Sequence, residues 1–316
     1  MTVNLVILIV IGVLAVLAGW LTWRARRVTR ALLKWPAMLF GGLLTILLAL
    51  IAVLIGVGFY KVYSPRGNPV VEVKIDLTPD QLARGEHLAN FICSSCHSTN
   101  DQLPLSGGKD LAEEIPIPLG HLIPPNLTPA GPLKDWTDGE IMRAVREGTN
   151  KDRHLMAVMS SQSFRDMSDD DIKSVIAYVR SQPAVQNETA NEQLNVLALA
   201  FYTIGFIPSK PVPAPRAVPA VARGPTVEYG HYLVNIIGCA ECHGADLTGG
   251  KGGLLPKGPN LRVVKAWSQA DFFKTLRTGT DPGGKQLDRD KMPWNFIGRL
   301  EDDELAGLYK YVTSLQ

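Results

Sequence analysis

Cys93-Ser94-Ser95-Cys96-His97 and Cys239-Ala240-Glu241-Cys242-His243 decide how the rest of this 316-residue chain is read. They hold all four cysteines, and each pair is followed at once by a histidine. Four cysteines taken without regard to position suit two disulfides or one four-thiolate zinc site; the paired spacing with its adjacent histidine argues against both. The chain repeats around these motifs. The first copy reads Gly85-Glu86-His87-Leu88, the motif, Pro125-Asn126-Leu127, Trp136-Thr137, Arg146-Glu147-Gly148-Thr149 and Met159, then a final helix around Tyr178. The second reads Gly230-His231-Tyr232-Leu233, the motif, Pro259-Asn260-Leu261, Trp267-Ser268, Arg277-Thr278-Gly279-Thr280 and Met292, then a helix around Tyr311. Offsets stay between 131 and 146 residues and the match is nearly gapless from the tryptophans onward. Landmarks kept in one order imply two copies of one domain.

Cys-x-x-Cys-His is the signature of covalent c-type haem attachment. Two thiols three positions apart reach the two vinyl groups on one porphyrin edge, and the adjacent imidazole is then held beneath the iron. A lone motif would also suit a thioredoxin-like redox pair or half a zinc site. Two motifs in the same repeated context point to two covalently attached haem c groups, with Cys93, Cys96, Cys239 and Cys242 as attachment points and His97 and His243 as proximal ligands. A macrocycle also explains how short, loop-rich copies become stable, because it supplies apolar core and ties the loops down.

The sixth ligand separates carrier from enzyme. The second copy has a single methionine, Met292, just before the last helix. In the first copy Met142, Met156, Met159 and Met167 compete. Met142 falls on a core helix face, and Met167 has Leu300 as its counterpart. Met159 precedes Met292 by 133 residues, the offset that also pairs Tyr178 with Tyr311. Met159 is therefore the expected ligand, with Met156 the alternative; His121 and His154 are loop histidines, which are more often solvent-exposed. A His/Met pair fills both axial positions and raises the reduction potential, which favours an electron carrier that is not catalytic on its own over a haem enzyme such as a dihaem peroxidase with one open iron. Pro125 and Pro259 are placed to offer carbonyl oxygens to the second nitrogen of His97 and His243, fixing the rings, or simply stiffen their loops.

Each copy reads as helical. Ile172, Val175, Ile176 and Val179, and again Leu305, Leu308, Tyr309 and Val312, follow the spacing of a buried helical face. Thr137 and Ser268 are expected N-caps, and Ser168 with Asp171 forms a capping-box-like start. Gly- and Pro-rich stretches between motif and tryptophan read as loops.

Residues 3–23 and 37–60 are uncharged and apolar, and each is long enough to cross a hydrocarbon core of roughly 30 Å. Arg24, Arg26, Arg27, Arg30 and Lys34 lie between them, which puts that loop in the cytoplasm and all that follows residue 60 outside. The rival reading, a cleaved signal peptide, lacks a positive n-region and runs too long. Neither span carries His, Asp, Glu, Lys or Arg, so the hairpin reads as anchor and docking surface without chemistry of its own. The expected organisation is a transmembrane hairpin (1–60), a juxtamembrane connector (61–77), domain 1 (78–184), a Pro-rich linker (185–224) and domain 2 (225–316). Within the linker, 191–207 is partly apolar and suits packing on the body or on the membrane surface, whereas 209–225 reads as a stiff extended connector. Domain 1 holds 10 basic and 15 acidic side chains, a balance of −5, and 185–316 holds 14 and 13. That acidity suits a basic partner such as a soluble cytochrome, or is a merely solvated surface. No basic stripe invites nucleic acid.

Both copies resemble class I cytochrome c domains in their attachment cysteines, proximal His, loop Pro, distal Met and terminal-helix aromatic. The resemblance implies an all-α fold of two such domains behind a two-helix membrane anchor, with haem edges partly exposed. Two haem domains behind an N-terminal anchor look like the dihaem subunit of cbb-type haem–copper oxidases. The runs Trp136-Thr137-Asp138 to Arg146-Glu147-Gly148 and Ser168-Asp169-Asp170-Asp171 look closer to cytochrome c subunits of membrane-bound alcohol and aldehyde dehydrogenases, which usually have three haems. A quinol-oxidising or photosynthetic complex is a third setting. The partners implied are the lipid bilayer, other subunits of a redox complex and a soluble periplasmic electron carrier.

Overall fold

Helix α1 (Thr2–Ala25) and helix α2 (Ala31–Tyr63) form an antiparallel hairpin in the computed structural model, which describes residues 1–161, 163–250 and 256–316. Gly19 faces Thr45 and Gly41 faces Thr22 across the pair; small residues of this kind let two apolar helices approach closely. Large apolar side chains such as Val16, Phe40 and Leu47 point outward and are exposed along both helices, a surface that suggests membrane anchoring. At the basic turn, the Arg24 guanidinium stacks 4.6 Å from the Trp20 ring centroid.

Domain 1 contains α3 (Pro79–Leu88), a π turn over Ala89–Cys93 that runs into α4 (Ser94–His97), then α5 (Asp138–Glu147) and α6 (Asp169–Ser181). A further helix, α7 (Val196–Ile204), lies in the segment read as linker. Domain 2 repeats the plan with α8 (Val227–Ile237), α9 (Cys239–His243), α10 (Gln269–Thr278), the short α11 (Trp294–Ile297) and α12 (Asp302–Ser314). The only sheet among the described residues is two-stranded, Gly120–His121 antiparallel to Gln193–Leu194.

In each domain the first helix crosses the last, α3 on α6 and α8 on α12. A glycine makes each crossing possible. A Cβ on Gly85 would come within 1.8 Å of the Ser174 carbonyl oxygen, and one on Gly230 within 2.0 Å of that of Gly307. Ile172, Ile176 and Leu305 are completely buried beside these crossings, each contributing about 1.5–3 kcal/mol by burial. Thr137 and Ser268 cap α5 and α10 with full capping boxes. The Ser168 start differs from expectation: Ser168 Oγ accepts from the Asp171 N–H, but the Asp171 carboxylate does not return to the Ser168 backbone. It is taken by Arg84 instead.

That capture belongs to the contact between the domains. His87 Nε2 donates to Glu304 Oε2 at 2.6 Å, and Tyr232 Oη donates to Asp171 Oδ2 at 2.6 Å. His87 and Tyr232 are equivalent positions in the repeat, as are Asp171 and Glu304, so each domain gives the other the same bond about a pseudo-two-fold relation. On that relation Arg84 Nη2 meets its own counterpart, the Tyr229 hydroxyl, at 3.0 Å. Arg84 also grips Asp171 with two nitrogens at 2.8 and 3.0 Å and reaches Glu304 Oε1 at 2.9 Å. Arg299 of domain 2 bonds the Asn90 carbonyl at 2.6 Å and Ser94 Oγ at 2.9 Å, inside the first cysteine motif. One apolar core runs through both domains.

The first part of the linker is held against domain 1, and 209–225 carries no helix or strand. Asn126 Nδ2 donates to the carbonyls of Val185 and Asn187, and residues 193–194 pair with domain 1, so the chain stays on domain 1 through α7. Polar loop backbone that is taken out of water needs such partners. The connector 61–77 is likewise held: Glu147 accepts from the Asn68 N–H and from the Ala214 N–H.

Candidate haem-binding sites

Both cysteine motifs sit on a helical turn directly after the first helix of their domain. His97 and His243 are buried there, and Nδ1 of each donates to a proline carbonyl, His97 to Pro125 at 2.9 Å and His243 to Pro259 at 2.8 Å. A ring fixed through Nδ1–H has Nε2 as its free acceptor, the tautomer a metal ligand requires. Burial lowers the pKa of His97, opposed in part by the bond to Pro125, and so favours the neutral ring.

The four thiols are free. Burial pushes Cys93 and Cys239 up to about 12, and raises Cys96 and Cys242 as well. Redox-active dithiols need the opposite shift, which sets aside a thioredoxin-like pair. Among the described residues no three His, Cys, Asp or Glu side chains cluster as a metal site. Two thiols and an imidazole oriented through Nδ1 on one turn fit a covalently held c-type haem.

A feature passed over in the sequence is the glycine pair after each motif. Gly107 and Gly249 donate to the carbonyls of His97 and His243 at 2.9 and 2.8 Å, and both have positive φ. A Cβ on Gly108 would fall 1.8 Å from the Cys96 oxygen, and one on Gly250 1.9 Å from the Cys242 oxygen. The signal was present as a shared offset of 142 residues, hidden because the offset differs from those on either side. Asn126 and Asn260 then brace the proline loops by accepting from the Thr128 and Arg262 N–H groups, each at 2.9 Å.

The methionine loops start at the glycines that end α5 and α10. Met156 N–H donates to the Gly148 carbonyl at 2.8 Å, and Leu287 N–H donates to the Gly279 carbonyl at 2.7 Å. Met156 therefore has Leu287 as its counterpart, and the two-residue difference in loop length falls before Met159 and Met292. The turn at Met159-Ser160 packs on Gly148, as Trp294 packs on Gly279. Met142 and Met167 are buried in the apolar core, Met167 at the position of Leu300. His121 is exposed and bonded to Asp110 at 2.7 Å, and His154 lies edge-on to Tyr63.

Residues 82–183 match the family model described as cytochrome c, and residues 225–312 match that of the cbb3-type cytochrome c oxidase subunit III. The chain carries two cytochrome c domains. Covalently bound c-type haem follows from them. Its relatives are subunits of dehydrogenases. The cytochrome c subunit of a quinone alcohol dehydrogenase of Gluconobacter oxydans is 29% identical over 72% of this chain and 48% of its own length. The cytochrome subunit of fructose dehydrogenase of Gluconobacter japonicus is 31% identical over 39% of this chain and 27% of its own. A nicotinate dehydrogenase subunit of Pseudomonas putida is 29% identical over 63% of this chain and 18% of its own. The chain thus spans less than half the length of these relatives.

Proposed function

We propose that this chain is the electron-transfer subunit of a membrane-bound dehydrogenase or respiratory complex, relaying single electrons through two haems on the periplasmic side of the membrane. The observation that carries the reading is the repeated cysteine motif whose histidine donates to a proline carbonyl in both domains. Bound c-type haem supplies a one-electron iron couple. The chain supplies Cys93, Cys96, Cys239 and Cys242 for attachment, His97 and His243 as proximal ligands, and Met159 and Met292 as distal ligands. Held by a histidine and a methionine each, the two irons would offer no open position to peroxide or oxygen, and the domains would need only to keep the two groups close.

Closeness is supported by the shared core and the buried Arg84–Asp171–Glu304 contact, which hold the domains together. The α1/α2 hairpin, with its basic turn in the cytoplasm, holds them at the membrane. That its relatives are dehydrogenase subunits favours a dehydrogenase as the electron donor.

Purification of the full chain in mild detergent tests this directly. A catalytic oxidoreductase subunit should accompany it, and that subunit's substrate should reduce both haems. A chain that purifies alone and turns over peroxide overturns the proposal. Reporter fusions after Lys34 should report cytoplasm and those after Arg66 the exterior.

A further inference from the structure

Residues 193–209 carry no charge, and the structure places most of them against the anchor. Helix α7 starts at an Asn195 cap and stops at Gly205 in the left-handed conformation. It runs down the outer part of α2. Gly58 lies so close to it that a Cβ would fall 1.8 Å from the Leu199 oxygen. One turn further along, Thr203 Oγ1 donates to the Leu54 carbonyl at 2.5 Å. Lys61 Nζ donates to the carbonyls of Tyr202 and Thr203 at 3.1 and 3.2 Å, a cation closing the C-terminal end of a helix. Leu54 is six residues inside the apolar run that ends at Tyr60, about 9 Å at the helical rise.

Among the described residues, the other side of this segment is only partly covered by protein. Leu197, Ile204 and Phe206 are 37%, 61% and 41% exposed, and on α2 Val53 and Val57, which flank the contact residues Leu54 and Gly58 in sequence, are 59% and 40% exposed. At the depth of Leu54, the surface continuous with that face of α2 meets hydrocarbon rather than water. An α-helix satisfies its own backbone there, and its returning turn lies on protein.

We propose that residues 196–207 enter the outer leaflet as a short re-entrant helix, with Leu197, Ile204 and Phe206 against phospholipid acyl chains, and so seat the methionine loop of domain 1 on the membrane. This rests on the reading of α1 and α2 as a transmembrane hairpin. Tyr202 Oη donates to the Ala157 carbonyl at 3.3 Å, and Leu155 N–H donates to that of Val62 at 2.9 Å, both just ahead of Met159. Domain 1 is then the membrane-proximal haem domain.

The test reconstitutes the full chain in phosphatidylethanolamine–phosphatidylglycerol vesicles containing a phospholipid with a diazirine in its acyl chain, followed by irradiation and peptide mapping. Adducts on 197–206 should be as abundant as on Val53 and Val57. Adducts on α2 with none on 197–206 overturn the re-entrant helix and leave the hairpin standing. A loss of adducts from both 197–206 and the middle of α2 overturns the hairpin reading, and the inference falls with it.

Discussion

The two methionine loops begin alike and end in different surroundings. After α5, Thr149 bridges to Leu155, and Leu155 is buried against the anchor end of α2. After α10, Thr280 bridges to Gln286, which is exposed, and its hydroxyl donates to Gln286 Oε1 at 3.0 Å. The Thr149 hydroxyl has no such partner and is buried. One loop is packed on the end of α2 and the other is left exposed, while the glycine that starts each loop and the arginine that anchors it are unchanged. Arg146 holds Asp169 and Arg277 holds Asp302, each at 2.5 Å. A duplicated domain thus keeps the glycine and the ion pair that fix the start of the loop and varies what the loop packs against.

The largest expected effect breaks the equivalence outright. Replacing Cys93 and Cys96 by Ala should lower haem content from two per chain to one, measured as the pyridine haemochrome, and replacing Cys239 and Cys242 should give the same loss. Next come the distal ligands. Met159→Leu and Met292→Leu should each remove the methionine–iron charge-transfer band of one haem and lower its potential, because methionine ligation raises it. Met156→Leu should leave both bands in place; loss of a band there would move the ligand three residues.

The domain contact should cost less, and unequally. Arg84→Met leaves Asp171 and Glu304 buried without their shared cation, and calorimetry should show a loss of about 3–5 kcal/mol. Tyr232→Phe removes one bond of the exchanged pair and should cost about 1 kcal/mol. Burial alone would raise the Glu304 pKa, but His87, the Glu301 N–H and Arg84 hold it down to about 2. A depressed carboxylate contributes stability above its unfolded pKa, here on the order of 3 kcal/mol, and that contribution is lost as pH falls from about 4.5 through 2. Glu304→Gln should flatten the acid limb of the stability profile over that window.

The smallest effect is the most discriminating between the loops. Thr149→Val removes a buried hydroxyl with no partner and should be neutral or slightly stabilising, whereas Thr280→Val loses a bond and should cost about 0.5–1 kcal/mol.

What the sequence made legible was local or repeated. Thr137 and Ser268 show as caps because capping depends on four adjacent residues, and the loop prolines show because they recur after each motif. Met159 rests on an offset shared with the terminal helix and stands as a proposal. Arg84 and His87 carried no signal, since their partner Glu304 lies 220 and 217 residues away and an Arg or His on a short helix usually faces water. The misread capping box at Ser168 has the same cause: the spacing was right, but a distant guanidinium competed for the Asp171 carboxylate. Helix α7 was visible only as an apolar stretch, because its neighbour α2 lies more than a hundred residues earlier.

A spectroelectrochemical titration of the full chain in detergent, with haem quantified on the same sample, tests the central claim most directly. Two covalently bound haems per chain are predicted, both low-spin in either oxidation state, both with the methionine–iron band when oxidised and neither altered by cyanide or peroxide. A single haem, or a high-spin ferric signal that shifts with either ligand, would contradict the account of two domains built to carry electrons.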